Sequence, residues 1–178
     1  MSPVRRINLM AGPGAGKSTL AARIFSDLKT KQYDIEHVSE YVKNWAYEDR
    51  KPQSFDQLYI FSKQLKSEES VLRKVKYLVT DSPIFLNAAF CVYYGCKYSK
   101  ELLSIASLFE EKYPSINLLI ERSVDYVTKG RYQTLDEAKD FDLLLSRILD
   151  QHLSKPVISV KIDDLPRILS ILEKEIND

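Results

Sequence analysis

The stretch Ile7-Asn8-Leu9-Met10-Ala11-Gly12-Pro13-Gly14-Ala15-Gly16-Lys17-Ser18-Thr19-Leu20 decides the architecture. Ile7 to Met10 is an apolar run of strand length. From Lys17 to about Thr30, Leu20, Ile24 and Leu28 recur at helical spacing. The small residues between strand and helix make the Walker A pattern, with Ala11 at the first position, where glycine is commoner. Small side chains let backbone N–H groups turn inward around phosphate oxygens. Lys17 supplies a point charge to the β and γ oxygens, Ser18 places a hydroxyl on Mg²⁺, and the following helix aims its positive end at the anion. Gly12, Pro13, Gly14, Ala15, Gly16, Lys17, Ser18 and Thr19 are therefore the candidates for binding ATP, or another nucleoside triphosphate, with Mg²⁺.

Outward from this motif, strands and helices alternate. Further strands are predicted at 35–38, 77–80, 116–120 and 157–160. The helix after the second strand is predicted over Glu40 to Tyr47, ending before Pro52. Ser54 reads as the N-cap of a long helix whose apolar face carries Leu58, Phe61, Leu65 and Leu72. Ser82-Pro83 and Ser99 open two more helices. Ala138, Phe141, Leu145, Ile148 and Leu149 line the face of another, and Pro166 to Ile176 forms the last. Such alternation predicts a parallel α/β sheet with right-handed crossovers, whose ligands sit at the carboxyl ends of the strands.

Two acids fall at those ends. Asp81 follows Tyr77-Leu78-Val79-Thr80 as a Walker B acid does, and can hold Mg²⁺ or take the acceptor's proton; as a bland alternative it caps the next helix. Glu40 follows the second strand and is a candidate base for a substrate hydroxyl, or else a first-turn acid favoured by the helix dipole.

With 44% hydrophobic and 29% charged residues, the 178-residue chain has the profile of one globular domain, not a disordered segment. No apolar run reaches the roughly 20 residues of a membrane span. The first residues are too short an apolar stretch for a signal peptide, so the cytoplasm is the expected location. A net charge of +1 gives no global pull toward nucleic acid. Cys91 and Cys96 match neither a redox nor a zinc spacing and read as reduced thiols. His37, in a strand, and His152, at a helix end, are not catalytic candidates.

Glu40-Tyr41-Val42-Lys43-Asn44-Trp45 resembles the E-P-V-x-x-W segment of deoxynucleoside kinases, and Phe55 to Gln64 resembles the helix from which those enzymes present a base-reading glutamine. Together with the P-loop and Leu78-Val79-Thr80-Asp81-Ser82-Pro83, these stretches resemble more closely nicotinamide riboside kinase domains and phage-type P-loop kinases. The resemblance covers about the first half of the chain. It implies a three-layer P-loop NTPase fold with a five-stranded parallel sheet in the order 2-3-1-4-5, a single domain over 1–178, and a short lid at about 122–134. It also implies that Glu40, Trp45, Gln57 and Gln64 serve the acceptor; with Arg50 they are the acceptor candidates, while Lys17, Glu40, Asp81, Arg122 and Arg131 are the catalytic candidates, with Ser18 and Asp81 at the metal.

In the lid stretch Glu121 to Arg131, Gly130 can hinge and Arg122 or Arg131 can supply charge to the transferring phosphoryl group, with Lys129 weaker for want of a planar fork. Tyr132 to Ala138 resembles the G-R-x-Q-T-x-x-E-A run of phage-type P-loop kinases.

The pattern departs from deoxynucleoside kinases where Ser82-Pro83 follows Asp81, because their arginine is missing there. Arg50 and Lys51 are then the candidates for gripping an acceptor phosphate. A GTPase would need D-x-x-G and N-K-x-D, and an AAA-type ATPase would carry Glu where Ser82 stands. The expected activity is ATP-dependent phosphoryl transfer to a nucleoside, nucleotide or related ribosyl or hydroxymethyl acceptor. Two alternatives stay open. One is a kinase for a hydroxymethylated base in DNA, with Arg5, Arg6, Arg73, Lys74 and Lys76 on the phosphates; the other is an ATP-binding regulatory module.

Overall fold

A computed structural model of the chain describes residues 4–53, 55–123 and 133–177. Five strands form one parallel sheet in the order β2-β3-β1-β4-β5, where β1 is Arg6–Met10, β2 Ile35–Val38, β3 Tyr77–Thr80, β4 Ser115–Ile120 and β5 Ile158–Val160. Around them run α1 (Lys17–Thr30), α2 (Lys43–Tyr47), α3 (Asp56–Leu72), α4 (Ile84–Tyr93), α5 (Ser99–Lys112), α6 (Leu135–His152) and α7 (Leu165–Asn177).

Both faces of the sheet are covered, which is why its strands read as unbroken apolar runs rather than alternating ones. Ile7 and Leu9 of β1 pack with Leu20, Ile24 and Leu28 of α1 and Ile168 and Leu172 of α7. Met10 and Leu78 point the other way, into a cluster with Phe61, Phe85, Leu102, Phe141 and Leu145 from α3 to α6. The result is three layers, the P-loop NTPase-type α/β fold.

Two expected helices differ from observation. The chain after β2 becomes helical only at Lys43, so Glu40 lies on a loop rather than in a first turn. On α3 the buried face carries Ile60, Phe61, Gln64, Glu68 and Leu72, while Leu58 is exposed. Two polar residues break the apolar stripe there and hide it from a periodicity reading. Ser54, expected as the N-cap of α3, lies outside the described residues.

Candidate active site

The carboxyl ends of β1, β2 and β3 bring the P-loop, Glu40 and Asp81 together. Residues 11–16 join β1 directly to α1, and Gly16, at φ 88°, caps that helix in a left-handed conformation that side chains rarely adopt. A Cβ at Gly12 would lie 2.7 Å from Asp142 Oδ1 and 2.8 Å from Ala138 O, so only glycine fits this close approach to α6. Lys17 Nζ donates to Gly12 O at 2.9 Å. Burial pushes the Lys17 pKa down, while Glu40, Asp81 and Asp142 oppose that shift.

Asp81 is 2% exposed and ties three elements together. Its Oδ2 accepts from Ser18 Oγ at 2.5 Å and its Oδ1 from the Glu40 backbone N–H at 3.0 Å. His37 Nε2 stands 3.9 Å from the same carboxylate, a neighbour that sequence reading passed over because β2 and β3 pair only in the folded chain. Ser18 and Asp81 thus offer a hydroxyl and a carboxylate oxygen within one hydrogen bond of each other. Hard oxygen donors of this kind suit Mg²⁺. Among the described residues no group of three or more His, Cys, Asp or Glu could hold a metal, and so small a donor set fits an ion shared with substrate phosphates.

A cavity of about 280 Å³ opens from the P-loop. Glu40, Lys43, Tyr47, Gln57, Asn87 and Phe90 line it with Lys17 and Ser18. Glu40 and Gln57, both candidates on the acceptor side, thus share the cavity with Lys17 and Ser18. Trp45, Arg50 and Gln64 do not line the cavity. Trp45 sits on the opposite face of α2, 6% exposed, with its ring stacked on Tyr59 and the Arg50 guanidinium 3.4 Å over it. Gln64 is fully buried; its Oε1 accepts from the Tyr41 N–H at 3.1 Å and its Nε2 reaches Thr80 Oγ1 at 3.5 Å. All three were expected on the acceptor side, and none is among the described lining residues. The amide brackets the loop that carries Glu40, and the indole seats α2.

Lys43, Tyr47, Asn87 and Phe90 were not foreseen. Asn87, 6% exposed, donates Nδ2 to Ser82 O at 3.0 Å and Pro83 O at 3.2 Å, which turns its Oδ1 away from those carbonyls. Phe90 is stacked on Phe141 at 4.1 Å and gives the cavity an apolar wall.

Arg122, expected as a catalytic arginine, is bound to the P-loop. Its Nε and Nη2 donate to Asp142 Oδ2 at 3.1 and 2.8 Å, and its Nη1 to Pro13 O at 2.8 Å. Asp142 Oδ1 accepts from the Gly12 N–H at 2.5 Å. One carboxylate therefore fastens both the loop and the arginine to α6. Arg131, Gly130 and Lys129 lie outside the described residues, as does most of the expected lid.

The basic residues considered for DNA contacts are differently placed. Arg6 is 1% exposed, and Arg5 donates to the carbonyls of Leu72, Val75 and Lys76. Arg6 begins β1 and Arg5 precedes it, at the end of the strand opposite the P-loop.

The chain matches the AAA domain family over residues 6–167. No curated protein matches it. Among solved structures, NadR protein in complex with NR superposes with a TM-score of 0.74 at 13% identity, over 98% of this chain and 52% of that one. The chain thus spans about half the length of that NadR chain. Thymidylate kinase from Candida albicans aligns with a TM-score of 0.61 at 12% identity, over 98% of this chain and 93% of the kinase. Deoxyadenosine kinase from M. mycoides aligns at 0.57 and 16% identity, over 97% and 98%. At these identities the shared feature is the fold. The chain belongs to the AAA domain family and has the P-loop fold seen in nucleoside and nucleotide kinases.

Proposed function

We propose that the protein is an ATP-dependent kinase that transfers the γ-phosphoryl group to a hydroxyl of a nucleoside, nucleotide or related ribosyl acceptor. The observation that carries this reading is that Glu40 and the P-loop line one cavity, with Asp81 set behind Ser18 rather than in the lining. A carboxylate across a small cavity from a phosphate cradle is the arrangement a hydroxyl phosphorylation needs. An ATPase needs no acceptor cavity, and Ser82 leaves no acid after Asp81 to activate water.

In this mechanism Lys17 and the backbone amides of 14–19 hold the triphosphate, and the positive end of α1 faces it. Ser18 and Asp81 would hold Mg²⁺, which would supply positive charge against the phosphates. Gln57, Asn87 and Phe90 orient a flat polar acceptor. Its hydroxyl oxygen forms a bond to the γ-phosphorus as the bond to the β,γ-bridging oxygen breaks. That electron pair leaves with ADP, and the hydroxyl proton passes to Glu40. Arg122 and Asp142 keep the P-loop in shape.

The nicotinamide riboside, nucleoside and nucleotide classes can be separated directly. Each acceptor is incubated with γ-labelled ATP and product is read by mass shift, with Lys17→Ala as control. One acceptor should gain a phosphoryl group at a rate that the control lacks. Tight ATP binding with no transfer to any acceptor would point instead to a regulatory ATP-binding module. Retention of near-normal turnover by Lys17→Ala would remove the P-loop from the reaction.

A further inference from the structure

Lys43 opens α2 and turns into the cavity, where Lys17 is the only other cation among the described lining residues. Its Nζ lies 3.5 Å from Ser18 Oγ, the hydroxyl that closes the phosphate cradle. No carboxylate among the described residues stands within ion-pair distance of Lys43, although Glu40 lines the same cavity and Asp81 holds the other side of Ser18. An ammonium aimed at a hydroxyl, with no described carboxylate paired to it, faces a place where an anion is expected.

Its placement is fixed from behind. Trp45, two residues on, is buried on the far face of α2 between Tyr59 and Arg50, so the helix presents Lys43, Ala46 and Tyr47 inward as one stripe. The stem of Lys43 starts on the acceptor wall, while Lys17 starts in the P-loop. The two cations therefore reach the cradle from different elements, α1 and α2.

We propose that Lys43 is a second catalytic cation, whose ammonium contacts the transferring γ-phosphoryl group from the acceptor side. This rests on the kinase reading above. The transition state of phosphoryl transfer spreads negative charge over the equatorial oxygens, and the reaction is helped by fixed charge aimed at them. Among the described lining residues, Lys43 is the cation that approaches from the acceptor side. Contact made with the moving group, and not with the bound diphosphate, acts on turnover and leaves ADP binding alone.

Lys43→Met and Lys43→Arg test this beside the wild type. Affinity is measured for ADP and for ADP with magnesium and aluminium fluoride, which mimics the transferring group and requires no acceptor. Turnover is measured with whichever acceptor the screen identifies, and thermal unfolding checks the fold. Lys43→Met should bind ADP within about twofold of wild type. It should hold the aluminium fluoride complex about 10²-fold more weakly and lose kcat by a similar factor, with part of both restored by Lys43→Arg. Unchanged affinity for the aluminium fluoride complex would overturn the proposal. So would a raised acceptor KM at unchanged kcat, which would make Lys43 a grip on the acceptor. A wild-type protein that binds this complex no better than ADP overturns it as well. Absence of transfer to every acceptor, with the complex weakened by Lys43→Met, sinks the kinase reading and leaves Lys43 as a phosphate-facing cation.

Discussion

At the scale of single residues, the two carboxylates near the P-loop have different surroundings. Asp81 has both oxygens engaged, one by Ser18 Oγ and one by the Glu40 N–H, and is nearly inaccessible. Glu40 lines the cavity beside Lys17, on which its charge acts. The proton of an acceptor hydroxyl is therefore expected on Glu40. Glu40→Gln should lower kcat by roughly 10² to 10⁴ and leave the KM for ATP nearly unchanged, because a general base acts on the nucleophile alone. Asp81→Asn should instead raise the Mg²⁺ concentration needed for half-maximal rate. An acceptor KM that rises in Glu40→Gln at constant kcat would make Glu40 a binding residue only. Equal Mg²⁺ dependence in Asp81→Asn and wild type would reduce Asp81 to the organiser of Ser18 and the β2 end.

At the scale of elements, α6 does more than cover the sheet. Its N-terminus is fixed by a capping box in which the Glu137 N–H donates to Thr134 Oγ1 and the Glu137 carboxylate accepts from the Thr134 N–H. Two turns on, Asp142 reaches Gly12 and Arg122. Removing either partner of the ion pair should loosen the same loop. Arg122→Ala and Asp142→Ala should each lower kcat/KM for ATP, and the double variant should be little worse than the poorer single one, a coupling of about 1–2 kcal/mol. Additive losses would show that Arg122 acts on the nucleotide independently of α6. The strands and most helices were legible in sequence, because buried parallel strands are plain apolar runs and α6 repeats Ala138, Phe141, Leu145 and Ile148 with regular spacing. The Walker A residues were legible for a related reason: their chemistry is local. Asp142 was not, since 130 residues separate it from Gly12 and nothing near it in sequence marks it. The sides on which Trp45 and Gln64 lie were not legible, because they are settled by what packs there and not by residue type.

At the scale of the whole molecule, the sheet separates chemistry from support. The carboxyl ends of its strands hold the cavity, and the opposite end of β1 holds a buried charge cluster. There Arg6 donates to Glu68 at 3.4 Å and to Glu110, its guanidinium stacked 4.6 Å over the Phe109 ring. One guanidinium faces two carboxylates. Glu110 has Ser115 as a further partner, whereas Glu68 has an oxygen, Oε1, buried with no hydrogen bond. Burial therefore pushes the Glu68 pKa up to about 7, with Arg6 and Gln64 resisting. In the unfolded chain the group returns to its ordinary value of 4.5, so between about 4.5 and about 7 the native state binds more protons than the unfolded state. Stability must then fall as pH rises through that window and level off above it, the reverse of a carboxylate held low by an ion pair. Glu68→Gln keeps the shape and the neutral form and cannot titrate. Urea unfolding of the wild type and of Glu68→Gln at intervals from pH 4.5 to 8 should give a stability difference that shifts in favour of the variant as pH rises toward 7, then stays constant. A difference independent of pH would mean that Glu68 remains ionised beside Arg6 throughout, and that the buried cluster is a full ion triad. Because the cluster lies at the far end of β1 from Lys17 and Ser18, the variant's kcat at a pH where both proteins are folded should match wild type, which keeps the stability measurement distinct from any test of the active site.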